Sequence, residues 1–488
     1  MEIPTQLSPK EKAISFDYSI LKNYIDTGID RSYFIPNLSP FEDRKEFVSQ
    51  YYKSILQGYN HIFITKILAE LNNPSANICL PLFNNWNEEL TIDNMIIIND
   101  PRDAERISKM HVKKAPIFKQ LLNTSIISTT DNDDWKHQRS EMNPAFLPNL
   151  SLKKIFPESV KRARGCTELL IKMSNNYNES INMSEFFLNE TQAQLQKALF
   201  GFSDEFEQKS NKRIRNVFAG INTEYLEEFT TEALKETKKS KGPASVYFQS
   251  SSDLEKNIGN IILFAFAGHD TTGHTLTWLM YELGQHPLFK KRLIDEIDEY
   301  WKNNPEENYD TFNQLPFMTK CITETLRMWP ALANGTFREL EKDETIHGIN
   351  GDKVEVPEGT YCQIINWTRH RNPELWDDPH IFNPDREFLD SEIWDYKGFG
   401  AYNVQSDRYS PFTYGPRNCL GKNFAHMEMR LILLNIFKNH DFTLDSHQSA
   451  TVNDPNYMGI NTFTMGPLDI HGDYLGMYMG IHSRKSKL

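Results

Sequence analysis

The chain has 488 residues, 39% of them hydrophobic, with 31 Phe, 20 Tyr and 8 Trp, enough to enclose a large apolar interior. Its formal net charge of −13 argues against a nucleic-acid partner, which would want a basic face. The five cysteines (Cys79, Cys166, Cys321, Cys362, Cys419) are odd in number and scattered without finger spacing, which argues against a disulfide framework or a zinc site and for a reducing compartment.

At the N-terminus, Met1-Glu2-Ile3-Pro4-Thr5 lacks the basic and apolar regions of a signal peptide. No stretch reaches the roughly 18 uninterrupted apolar residues that cross a bilayer, so residues 1–40 are expected to be an extension without a membrane anchor. A helical pattern over Glu42–Leu71 gives way to a strand-like run, Met95-Ile96-Ile97-Ile98, before Asp100-Pro101. From Trp135 to Phe200 the pattern is helical. Residues 252–282 predict a long buried helix centred on Ile261–Phe266, and further helices are expected over Pro287–Trp301 and Phe317–Trp329. Strands are expected over Lys353–Val356 and Thr360–Ile365, and a last helix carries Phe424, Met427, Leu431, Leu433 and Ile436. No internal repeat or low-complexity linker intervenes. The expectation is a mainly α fold with a small β-sheet portion, one large domain over residues 1–488. The chain closes on Arg484-Lys485-Ser486-Lys487-Leu488, whose final tripeptide reads as a peroxisomal address if the host is eukaryotic.

Four runs carry chemistry. Phe412-Thr413-Tyr414-Gly415-Pro416-Arg417-Asn418-Cys419-Leu420-Gly421 sets one cysteine between glycines, close to an arginine, just before the last helix. A thiolate is a good metal ligand but a costly buried charge. Freed backbone N–H groups, a guanidinium and a helix N-terminus all relieve it, an environment suited to a haem iron held by one cysteine. Ala267-Gly268-His269-Asp270-Thr271-Thr272 places an acid and two hydroxyls inside an apolar helix, where they need partners; a hydroxyl back-bonding to a carbonyl is the plainer explanation. His269 is expected to pack rather than ligate. Glu324 and Arg327 lie one turn apart on a helix, a spacing usually worth only a few tenths of a kcal/mol. Trp135 and Arg139 set two hydrogen-bond donors one turn apart.

Taken in chain order, from Trp135 to Gly421, the runs resemble the cytochrome P-450 family, whose haem signature Phe-x-x-Gly-x-Arg-x-Cys-x-Gly is matched at every fixed position. The resemblance implies heme b buried between the long helix and the cysteine loop. Cys419 would be the axial iron ligand, with Arg417 near a propionate, Phe412 stacked close to the thiolate, and Gly421 beside the cofactor. It implies that Gly268 lets the long helix approach the iron, that Thr271 hydrogen-bonds bound dioxygen, and that Asp270 relays protons. Trp135, Arg139 and Arg338 would donate to propionates. Glu324 and Arg327 would join Arg386, in Phe382-Asn383-Pro384-Asp385-Arg386, in a structural triad holding the cysteine loop. Glu387 stands where the family has an aromatic, with Phe388 one residue late.

The function implied is a haem–thiolate monooxygenase that inserts one oxygen atom from O2 into a mid-sized, largely apolar organic substrate. Electrons would come from NAD(P)H through a separate reductase or ferredoxin-type partner, with no nucleic acid and no transmembrane anchor involved. Lys136, Arg417 and Lys422 are candidates for the docking face of that partner or are simply solvated charges. The alternatives are a non-oxygenating haem–thiolate enzyme (isomerase, dehydratase or NO reductase) and a haem sensor or carrier. The short stretch between Gly201 and Ala267 suggests an abbreviated roof and a more open pocket.

Overall fold

The computed structural model describes residues 37–40, 50–55, 57–84, 91–394, 405–445, 459–461, 464–467 and 476–484. Apart from 37–40, the expected N-terminal extension lies outside these residues. So do Ser486-Lys487-Leu488 and the first part of the helix expected over Glu42–Leu71.

Local chemistry sets the starts of the early elements. Helix α1 (Asn60–Glu70) leads into the antiparallel strands β1 (Ile78–Asn84) and β2 (Thr91–Ile98). Asp100 accepts from the N–H groups of Arg102 and Asp103 to cap α2 (Pro101–Met110), and Pro101 fills the position where no N–H is needed. Asp131 caps α3 (Asn132–Met142) in the same way. The helical pattern expected from Trp135 to Phe200 is interrupted after α3 by Pro144 and Pro148, which begin two short non-α turns. Beyond α4 (Lys153–Met173), Asn175, Asn176 and Tyr177 turn the chain with φ of 48, 56 and 69° into β3 (Ile181–Asn182). Helix α5 (Met183–Gln194) then runs into one π-helical turn over Leu195–Leu199.

The segment before the longest helix is short yet holds α6 (Asp204–Phe218), α7 (Tyr225–Thr237) and α8 (Pro243–Ser250). Aromatic packing joins these helices to the next. The rings of Phe200, Phe202, Phe248 and Phe264 meet at centroid distances of 4.9 to 6.2 Å. At this face a cavity of about 10 Å³ is lined by residues including Gln192, Gln196 and Phe229.

Helix α9 (Leu254–Gln285) has 32 residues, about 48 Å at 1.5 Å per residue, and Asp253 caps it through the N–H of Lys256. It is apolar nearly all round and therefore buried. Trp278 is fully enclosed and stacks on Trp329 at 3.7 Å, the rings 2° from parallel. Two glycines let α9 meet α5: a Cβ at Gly268 would lie 2.7 Å from Leu195 Cδ1, and one at Gly273 3.1 Å from Leu188 Cα. Helices α10 (Pro287–Asn303) and α11 (Pro316–Met328) both start on proline.

Four strands follow: β4 (Thr336–Glu339), β5 (Glu344–His347), β6 (Lys353–Val356) and β7 (Tyr361–Ile364). The two expected strands, β6 and β7, belong to different sheets. β6 pairs with β5, whereas β7 enters the sheet β1-β2-β7-β4, parallel to β2 and antiparallel to β4. Last come α12 (Lys422–Asn439), β8 (His440–Leu444), β9 (Gly459–Asn461), β10 (Met465–Pro467) and β11 (Tyr478–Ser483). Among the described residues no helix is long and apolar enough to cross a membrane. The fold is mainly α with small sheets, a single large body consistent with the P450 architecture.

Candidate active site

The cysteine loop is shaped by its own backbone. Gly415, at φ 76°, sits where a Cβ would strike Ser108 O at 2.5 Å, so only glycine fits. The N–H of Cys419 donates to Phe412 O at 2.8 Å, closing the loop, and the Phe412 ring packs 5.3 Å from His426. No side chain caps α12. Instead, the N–H groups of Gly421 and Lys422 bear on the Cys419 sulfur. Cys419 is accessible although protein surrounds it, as a group facing an internal cleft must be. Desolvation raises its thiol above the ordinary value, while those two amides and the charges of Arg139 and Lys422 pull it down. Gly421 serves through its N–H: a Cβ there would make only ordinary contacts, 4.0 Å from the sulfur.

Beside the loop, three cations are buried without an ion-pair partner among the described residues. Lys114 Nζ and Arg338 Nη1 both donate to Thr336 Oγ1, at 2.6 and 2.7 Å. Arg417 donates to the carbonyls of Val112, Ile126 and Thr129 and lies 4.4 Å over the Trp135 ring. Burial, with the other cations, pushes Lys114 well below its usual value and Arg417 to about 9; burial takes Arg338 to about 10. Arg338 Nε and Nη2 are enclosed and without a hydrogen-bond partner among the described residues. Leaving a buried charge uncompensated costs several kcal/mol. This donor set fits a buried dianion such as the two carboxylates of haem. Arg139 makes two 2.6 Å bonds to Asn418, to its carbonyl and to its Oδ1, and so steadies the residue before the cysteine.

On α9, Phe264, Ala267, Gly268 and Thr271 stay partly accessible within a buried stretch, one face open to internal space. Thr271 makes the plain back-bond, donating to Ala267 O at 2.9 Å. Asp270 is buried and accepts from the Thr464 hydroxyl. His269 packs: its Nδ1 is 2.6 Å from Ala265 O, its ring 5.7 Å from Phe218, and burial lowers its value to about 4.

Glu324, Arg327 and Arg386 come together. Arg327 Nε and Nη2 meet the two Glu324 oxygens at 2.7 and 2.8 Å, and Arg386 Nε reaches Oε1 at 3.3 Å. Phe388 follows one residue after Glu387 and packs on Trp376 and Tyr409 at 5.8 and 6.2 Å.

Gly268 also turns its bare side to Leu195, where a Cβ would lie 2.7 Å away, so helix packing needs the glycine. One expectation needs correction. Arg417 and Lys422 are buried, so neither presents a docking surface; Lys136 is exposed and paired with Asp133 at 3.0 Å.

Sequence reasoning also missed several residues. Lys114 and Thr464 lie outside the four chemistry-bearing runs of the sequence. The enclosed pair Glu392–Arg408, at 2.7 Å on the approach to the cysteine loop, has no sequence signal. Glu428 did have one, since it is an acid inside the apolar run Phe424–Phe437.

The comparisons agree with this geometry. The family model described as Cytochrome P450 matches residues 229–467, taking in α9, Glu324, Arg327, Arg338, Arg386 and Cys419 but not Trp135 or Arg139. The chain is 27% identical over 367 residues to Cytochrome P450 3A12 of Canis lupus familiaris, covering 65% of this chain and 70% of that protein. It is 36% identical over 194 residues to Cytochrome P450 3A28 of Bos taurus, covering 39% of this chain and 34% of the relative. For Cytochrome P450 3A19 of Capra hircus aegagrus the identity is 34% over 185 residues, 38% of this chain and 78% of the relative. A cysteine under two helix-terminal amides, cations lacking an anion, and a family match spanning both α9 and the cysteine loop lead to one assignment: the chain belongs to the cytochrome P450 family of haem–thiolate monooxygenases.

Proposed function

We propose that this chain, as one domain over residues 1–488, inserts one atom of O2 into a mid-sized, largely apolar organic substrate, with electrons passed from NAD(P)H by a separate reductase or ferredoxin-type protein. The observation that carries this is the accessible Cys419 sulfur beside three buried cations that have no counter-ion among the described residues. Heme b bound through Cys419 would supply dioxygen activation, favoured by electron donation from the thiolate.

The remaining work falls to this chain's own side chains. The amides of Gly421 and Lys422, with the charges of Arg139 and Lys422, offset part of the burial that raises the Cys419 thiol and so favour its ionisation when it ligates iron. Lys114, Arg338 and Arg417 neutralise the cofactor's carboxylates, with Trp135 beneath Arg417 and Arg139 fixing Asn418. Phe146, stacked on Phe264 at 5.8 Å and lying beside Gly421, gives the cysteine loop an apolar cover that excludes water. Thr271 gives its hydrogen to Ala267 O, so its oxygen can accept from a proton-bearing water. Asp270, next along α9, holds the proton to be passed on. Glu324, Arg327 and Arg386 keep the cysteine loop in shape.

The test is spectroscopic. Reduced protein under carbon monoxide should show the red-shifted Soret band of thiolate-ligated haem, and Cys419→Ser should lose the band together with substrate-dependent NAD(P)H consumption. A variant that keeps both would rule out Cys419 as the ligand.

A further inference from the structure

Asp270 is held from outside its own helix. Thr464, just ahead of β10, donates its hydroxyl hydrogen to Asp270 Oδ2, and the same hydroxyl oxygen lies 2.9 Å from Nδ1 of His274, one turn further along α9. A hydroxyl carries one hydrogen. With that hydrogen directed to the Asp270 carboxylate, the oxygen is left to accept from His274, so the imidazole carries its hydrogen on Nδ1. All three side chains are enclosed, at 4% exposure for Asp270, 0% for Thr464 and 1% for His274.

The segment carrying Thr464 is pinned to the same helix. Trp278 Nε1 donates to Met465 O at 2.7 Å, and Met465 N donates to Ala331 O at 2.9 Å. A Cβ at Gly459, on β9, would meet the Trp329 ring at 3.2 Å, so glycine lets the strand lie against the stacked tryptophans. The hydroxyl is thus delivered by a fixed strand pair.

We infer that Thr464 and His274 are positioning residues for Asp270: His274 orients the Thr464 hydroxyl, which keeps the carboxylate in the one orientation that passes protons to the cleft. This rests on the proposed role of Asp270 in oxygen insertion. Thr464→Val keeps the shape and removes the hydroxyl; Thr464→Ser restores it.

The experiment measures three things on purified wild-type and variant protein. Haem content and the carbon monoxide band should be unchanged in both variants. Product formed per NAD(P)H should fall at least about tenfold in Thr464→Val, within the range of proton-transfer contributions, and recover in Thr464→Ser. The imidazole 15N shifts of His274 in the diamagnetic ferrous carbon monoxide form should report an Nδ1–H tautomer in the wild type and in Thr464→Ser, and its loss in Thr464→Val. Unchanged coupling in a haem-replete Thr464→Val, or an Nε2–H tautomer in the wild type, would overturn the inference. Absence of the carbon monoxide band from the wild type would instead overturn the haem–thiolate reading, while the tautomer measurement would still decide the hydrogen-bond chain.

Discussion

Arg327 and Glu324 form a two-point ion pair from which water is wholly excluded, Nε to Oε2 at 2.7 Å and Nη2 to Oε1 at 2.8 Å, with both side chains at 0% exposure. The third guanidinium nitrogen, Nη1, donates to the carbonyls of His370 and Pro379, each at 2.8 Å, so the pair also ties α11 to the chain that leads toward the cysteine loop. A turn-spaced pair in solvent is worth about 0.3–0.5 kcal/mol. Removing one partner of a buried pair leaves an uncompensated charge, at a cost of about 3–5 kcal/mol, a large share of the roughly 5–15 kcal/mol by which folded proteins are stable. Arg327→Ala is therefore expected to give little soluble protein, or protein with little haem. A normal haem-to-protein ratio in that variant would show that the pair does not hold the loop.

What the sequence made legible was whatever a local pattern encodes. The long apolar run of α9, the caps before helices, and the glycine-bounded Cys419 each depend on neighbours a few positions away. Partners chosen by the tertiary fold were not legible. Lys113 and Lys114 are adjacent lysines, yet one pairs with Glu339 near the surface while the other is buried beside Arg338. Nothing in the order of residues reveals that Thr464 meets Asp270 across 194 positions. Gly268 was legible as a glycine needed for close approach, but what approaches it is Leu195, a contact set by the crossing of α5 and α9.

That crossing can be tested at Gly268. Alanine there gains about 1 kcal/mol of helix propensity, but its Cβ would lie 2.7 Å from Leu195 Cδ1, and overpacking of this kind typically costs about 1–3 kcal/mol. Gly268→Ala alone should lower the melting temperature, and adding Leu195→Ala should make the alanine at 268 neutral or stabilising. A double-mutant cycle with no coupling between the two sites would mean that the helices do not meet there.

Lys114 gives a prediction with opposite signs in two states. Without an anion it is a buried charge held well below its ordinary value by desolvation and by Arg338 and Arg417. Lys114→Met keeps the aliphatic length and removes the charge, so the haem-free protein should melt higher. The haem-loaded protein should release its cofactor faster to an acceptor such as apomyoglobin, because one cation facing the carboxylates is gone. The depressed lysine has shed a proton that the unfolded chain keeps up to its ordinary value of 10.5, so the unfolded state binds more protons and wild-type haem-free stability should rise with pH in that window. Equal haem retention in the variant and the wild type would place Lys114 outside the cofactor's anchor.

Glu428 carries the opposite sign. It is fully buried on α12, and the Thr272 hydroxyl on α9 offsets only part of that burial. Burial raises its carboxyl well above the ordinary 4.5. The folded protein therefore keeps a proton that the unfolded chain has lost, and stability falls as pH rises from 4.5 toward the folded value, by about 1.4 kcal/mol per pH unit inside that window. Glu428→Gln fills the same space with a group that does not ionise. The two proteins should melt alike near pH 5, and the variant should melt progressively higher as pH rises to 8, with a flatter dependence throughout. Melting curves across that range decide it. Parallel pH profiles would mean that Glu428 finds a hydrogen-bond donor or a cation in solution, and that α9 and α12 do not enclose a neutral acid between them.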